Sequence, residues 1–219
     1  TVLLGNAFAR QTAKGVVFID ANKNGSFDAG EMGVLDVCIS NGIDVTQTDA
    51  TGRWSLPVDD DTGIFVVKPS GYAVPVNNTQ IPQNSYLHKP NGSPQLAVLG
   101  VPATGPLPES IDFPLYPADE SGPFSALLFG DPQARGLKEV NFISRDVVQE
   151  CIGTDAIFGI SLGDMVADDP SLFKVISESI AQIGIPWYNI FGNHDHNRAA
   201  KEDEYKDETF ERFFGPSTF

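Results

Sequence analysis

The sequence predicts an α/β domain built on a partial parallel βαβαβ sheet, preceded by a small all-β sandwich domain. Two observations carry this. After Gly122, continuous apolar runs alternate with segments of helical period, as buried parallel strands joined by crossover helices do. Before residue 77, short Val- and Ile-rich segments are separated by turn-formers, and none has a helical period.

The first part has five such segments: GVVFID, VLDVCIS, IDVTQT, RWSLPV and GIFVVKP. NKNG, SNG, DATG and DDDTG punctuate them. Trp54 reads as a core residue, and Asp49, Thr51 and Gly52 as a tight turn. These elements place the β-domain at 1–100. A proline-rich linker is expected at 101–122 and the α/β domain at 123–219. His88 reads as a packing or surface residue.

In the second part FSALLFG, DAIFGISLG and IPWYNIFG read as three buried strands. Between them Leu137, Val140, Ile143, Val147 and Cys151 share one helical face. Leu172, Ile176, Ile180 and Ile183 share another. The final stretch AAKEDEYKDETFERFFG reads as an amphipathic helix.

Composition narrows the partners. Asp and Glu outnumber Lys and Arg 29 to 14, a net charge of −15. Binding to a nucleic-acid backbone needs clustered cations and is not expected. Cations are the natural partners, and an anionic substrate needs local positive charge. No apolar run of about 18 residues exists to span a membrane. Cys38 and Cys151 read as buried thiols, with a disulfide between them left open. The chain starts on Thr, which suggests processing.

Each apolar run after Gly122 ends in polar residues that a simple turn does not need. The tips are Gly130-Asp131-Pro132-Gln133, Gly163-Asp164-Met165-Val166-Ala167-Asp168 and Gly192-Asn193-His194-Asp195-His196. Ligands bind at the carboxyl ends of strands in open α/β sheets. Parallel strands would therefore gather oxygen donors from Asp131, Gln133, Asp164 and Asn193 at one edge. Such donors beside imidazole suit Mn, Fe, Zn or Mg.

DPQ, GDMVADD and GNHDH resemble the first three motifs of the calcineurin-like metallophosphoesterases, D-x-H, G-D-x-x-x-D and G-N-H-[DE]. The resemblance covers residues 123–219. It implies a sandwich of two sheets flanked by helices and a site of two divalent metal ions. Asp131, Gln133, Asp164 and Asn193 would be metal ligands, with Asp164 bridging. A water between the metals would attack a phosphoester small molecule or a phosphorylated substrate. His194 would protonate the leaving group, oriented by Asp195. Asp168 and His196 would contact substrate or support these residues. Gln133 departs from the commoner histidine, which bears on metal identity. The later histidine and the G-H-x-H motif are absent. The resemblance therefore implies a longer catalytic domain, and the chain alone is expected to be inactive. A binding module with a degenerate phosphatase-like part is the alternative.

Residues 20–31, DANKNGSFDAGE, place Asp20, Asn22, Asn24, Asp28 and Glu31 in a calcium-loop pattern. Strands rather than helices are expected on both sides. The phrase resembles loops of bacterial cell-surface β-sandwich domains, which implies Ca²⁺ and an extracytoplasmic, bacterial setting.

Overall fold

The computed structural model describes residues 10–217. The opening TVLLGNAFA and the last two residues lie outside that range.

Residues 11–117 are β-rich. A five-stranded sheet is centred on β1 (Gln11–Ile19). β2 (Met32–Gly33) and β5 (Arg53–Val58) pair with it antiparallel, and β9 (Phe113–Pro117) pairs with it in parallel. β7 (Tyr72–Ala73) closes the far edge against β9. An antiparallel four-stranded sheet runs in the order β4 (Val45–Gln47), β3 (Cys38–Ser40), β6 (Thr62–Val66), β8 (Ser85–His88).

The two sheets share one core. Val17, Trp54, Leu56, Phe113 and Leu115 from the first meet Ile39, Ile64 and Val66 from the second. Gly15 lets β1 approach the segment entering β9: a Cβ there would lie 1.7 Å from the Ile111 carbonyl oxygen.

The stretch expected to be a linker therefore contributes a strand. Phe113 and Leu115 alternate inward with Pro114 and Tyr116, the period of a half-buried strand. Both cysteines are free and half-buried.

The second part holds a three-stranded parallel sheet, β10 (Ala126–Phe129), β11 (Phe158–Ser161), β12 (Trp187–Asn189), in that spatial order. α1 (Leu137–Ile143) runs through a π-helical turn, Ser144–Val148, into α2 (Gln149–Cys151). The wider turn resets the helical face. Val148 is fully buried, whereas Val147 is 41% and Leu137 58% exposed. The expected stripe thus holds at Val140 and half-buried Ile143 and Cys151, and fails at Leu137 and Val147.

α3 (Phe173–Ile180) buries Ile176 and Ile180, with Leu172 and Ile183 at its ends. Trp187 crosses Gly159 so closely that a Cβ would lie 2.0 Å from the indole, and its Nε1 donates to Ser161 Oγ at 2.9 Å. The opposite sheet face is only partly covered: Leu128 is exposed, and Phe158, Ile160, Tyr188 and Ile190 line a hollow of about 410 Å³.

The acidic stretch is helical only at α4 (Glu208–Phe214), after a 3₁₀ turn at Asp203–Tyr205. Asn197 N–H donates to Lys206 C=O at 2.7 Å, which folds residues 197–206 into a loop instead of a continuing helix. No helix among the described residues is long and apolar enough to cross a membrane.

Candidate metal centre

The three polar tips meet at the carboxyl edge of the parallel sheet. The first two run side by side: Gln133 N–H donates to Asp164 C=O at 2.8 Å, and Ala134 and Val166 form a parallel bridge. Asp131, Gln133, Asp164 and Asp168 all have positive φ, between 39° and 65°. Backbone in such regions costs on the order of 1–3 kcal/mol per residue and persists where surrounding contacts enforce it. Half of the eight such non-glycine residues described fall on these two tips.

Asp164 is the meeting point. Its side chain is nearly buried. Oδ1 accepts from the His194 N–H at 2.8 Å, and Oδ2 accepts from Gln133 Nε2 at 3.0 Å. The third tip comes this close because residue 192 is glycine: a Cβ there would lie 2.2 Å from Asp164 Oδ1. Asp131 and Asn193 are exposed beside this cluster. The His196 ring packs on Phe191, centroids 5.1 Å apart.

The expected partnership of Asp195 with His194 is not what the structure holds. Asp195 is fully buried and turned inward. It accepts from the backbone N–H groups of Val166 at 3.2 Å and Gly192 at 3.0 Å. Burial pushes its carboxyl up to about 6, helped by the nearby Asp164 charge and opposed by those hydrogen bonds.

Asp168 takes the orienting place instead. Its Oδ1 lies 2.9 Å from His194 Nδ1 and accepts from Arg198 Nη2 at 2.6 Å. Arg198, then His194, hold the Asp168 carboxyl below its ordinary range. The Asp168 N–H also donates to the His194 carbonyl at 2.9 Å, so the two residues are tied twice. The tight turn closed by Asp195 N–H on Gly192 C=O, 3.1 Å, turns Asp195 in. Sequence reasoning missed Arg198 altogether; its signal was only that of the first of several cations, with Lys201 and Lys206, just beyond the third tip.

The donor types at the three tips suit a divalent cation. Asp131 and Asp164 supply carboxylates, and Gln133 and Asn193 can supply amide oxygens, all hard donors that suit Mg or Mn in kind. Among the described residues no group of three or more His, Cys, Asp or Glu side chains is arranged to hold a metal ion. The fit is therefore in chemistry, with the acidic donors few.

The 20–31 loop is closed by its own hydrogen bonds. Asp20, almost fully buried, accepts from Asn24 N–H at 3.2 Å and Gly25 N–H at 2.8 Å. Asp28 Oδ2 accepts from the amides of Asn22 at 2.9 Å and Asn24 at 2.7 Å. Glu31 caps the loop through Ala21 and Asp28 N–H. The five expected donors are thus gathered, partnered with one another.

Residues 21–96 match the family model described as the N terminal of Calcineurin-like phosphoesterase. No curated protein matches the chain. The match falls on the β-rich part, which the sequence likened to bacterial surface domains, and so comes from a region that carries none of the three tips. It supports a relationship to calcineurin-like phosphoesterases, hydrolases that usually use divalent metals.

Proposed function

We propose that the chain contributes to a metal-dependent phosphoesterase whose centre lies on the 131–133, 164–168 and 192–198 tips. The observation that carries this reading is the convergence of the tips on the Asp164 carboxylate through Gln133 and His194. Asp131, Gln133, Asp164 and Asn193 would hold two divalent ions. When bound, such ions supply Lewis-acid charge that neutralises phosphoryl oxygens and lowers the pKa of water.

The chain's own residues do the rest. Asp168 orients His194 through Nδ1, which leaves Nε2 to hand a proton to the departing alkoxide. Arg198 brings a cation to the rim of an otherwise acidic protein, where a phosphoester must arrive. Asp195 fixes the turn that presents His194 rather than touching it.

A division into a β-sandwich domain that includes β9 and a phosphoesterase part belongs to this proposal, as does an extracytoplasmic bacterial setting. Calcium is the ion that the Asp20–Glu31 donor pattern suits. Hydrolysis of p-nitrophenyl phosphate and bis-p-nitrophenyl phosphate by the full-length protein, with metal analysis, tests the main reading. Metal-dependent turnover of either supports it; none with any divalent metal favours a binding module with a degenerate site.

A further inference from the structure

The upstream half of the third tip is held by the second: Asp164 receives the His194 N–H, and Val166 N–H donates to Asp195. The downstream half is held from elsewhere. Asn197 is 1% exposed, and its Nδ2 donates to Val98 C=O and to Thr209 Oγ1, both at 2.7 Å. Thr209, fully buried, donates to the same Val98 carbonyl at 3.1 Å. Asn197 Oδ1 accepts from Ala199 N–H at 3.0 Å.

The Val98 segment is itself pinned. Ser93 N–H donates to Val101 C=O at 2.9 Å, and Arg212 Nη1 donates to Gly100 C=O at 2.8 Å. A Cβ on Gly100 would lie 2.3 Å from Ser93 Oγ. A buried ion pair, Lys89 Nζ to Glu208 Oε1 at 2.7 Å, joins the end of β8 to α4. Asn197 therefore lies where three segments cross, and the next residue, Arg198, holds the carboxylate that orients His194.

We propose that Asn197 is a positioning residue and that the 89–101 segment, through the Val98 carbonyl and Thr209, buttresses the His194 loop. The proposal rests on the phosphoesterase reading for its consequence in turnover, and on geometry alone for its consequence in loop order. The region leading out of the β-rich part is then a component of the site. Displacing Asn197 draws the Arg198 guanidinium off Asp168 and loosens the His194 ring, with the first two tips left in place.

Thr209→Val is the decisive variant, because it keeps the shape and removes the hydroxyl; Thr209→Ser restores it, and Asn197→Ala is the stronger lesion. In the full-length protein, hydrogen exchange over residues 192–200 is expected to rise at least roughly tenfold in Thr209→Val and Asn197→Ala. Exchange in β1 and β5 stays unchanged, and Thr209→Ser behaves as wild type. Turnover, kcat, falls roughly 10- to 100-fold with KM nearly constant, the scale of about 1 Å of misplacement. Unchanged exchange in the loop, or equal loosening of the whole chain, overturns the proposal. If the wild type hydrolyses no phosphoester, the functional reading fails and the exchange measurement still decides this one.

Discussion

His194 Nδ1 lies 2.9 Å from Asp168 Oδ1, while the adjacent carboxylate, Asp195, faces backbone N–H groups. The two carboxylates therefore have separable roles. Asp168→Asn is expected to lower kcat on an alkyl phosphoester by about 10²-fold or less, with the melting temperature little changed. Asp195→Asn places an amide where Gly192 N–H needs an acceptor and is expected to lower the melting temperature. His194→Ala should cost about 10²–10⁴-fold in kcat on the same ester. Steady-state kinetics and thermal melts of the three variants check this; equal melting losses for both aspartate variants would contradict it.

Gly192 sits where any side chain collides with Asp164. Gly192→Ala is expected to destabilise by about 1–3 kcal/mol, as overpacking does. It should also weaken Mn²⁺ binding more than a rim change such as Lys201→Ala. Denaturant titration and calorimetry measure the two effects separately.

Lys89 and Glu208 form a buried pair. Burial lowers the Lys89 pKa, but Glu208, with Asp61, outweighs it and the pKa is raised. Removing Lys89 leaves the buried Glu208 carboxylate with only the neutral Ser93 hydroxyl beside it, whereas Lys89 without Glu208 keeps Asp61 at 3.5 Å. Lys89→Met is expected to cost about 3–5 kcal/mol, and the double change with Glu208→Met to recover much of it. Urea unfolding of single and double variants gives the coupling.

Glu211 is pushed from 4.5 up to about 7, first by burial and then by the Asp207 charge. The folded state therefore favours its neutral form. Its contribution to stability is full below pH 4.5 and is lost as pH rises through 7. Glu211→Gln keeps an acceptor for Ser217. The variant is expected to match wild type near pH 4.5 and to exceed it in stability above pH 7. Unfolding free energies across that range check the sign.

The three parallel strands and their tips were legible because each strand is a continuous apolar run ended by glycine, although one face of the sheet is only partly covered here. The α3 stripe was legible because nothing interrupts its period. The π turn at Ser144–Val148 was not, since it moves burial from Val147 to Val148 without a compositional mark. β9 was hidden by Pro114 and Pro117, which read as breakers although the strand still pairs with β1 and β7. Asp168 as the partner of His194 depends on the backbone turn that points Asp195 inward, a choice between two nearby carboxylates that spacing does not settle.

On the proposed reading, the three tips gather around Asp164 to hold divalent metal for phosphoester hydrolysis. Titration of Mn²⁺ into the metal-stripped full-length protein, followed in parallel with p-nitrophenyl phosphate turnover, tests it most directly. Binding and turnover rising together in wild type, and both lost in Asp164→Asn, is the predicted result. Turnover that survives metal removal or persists in Asp164→Asn would contradict it.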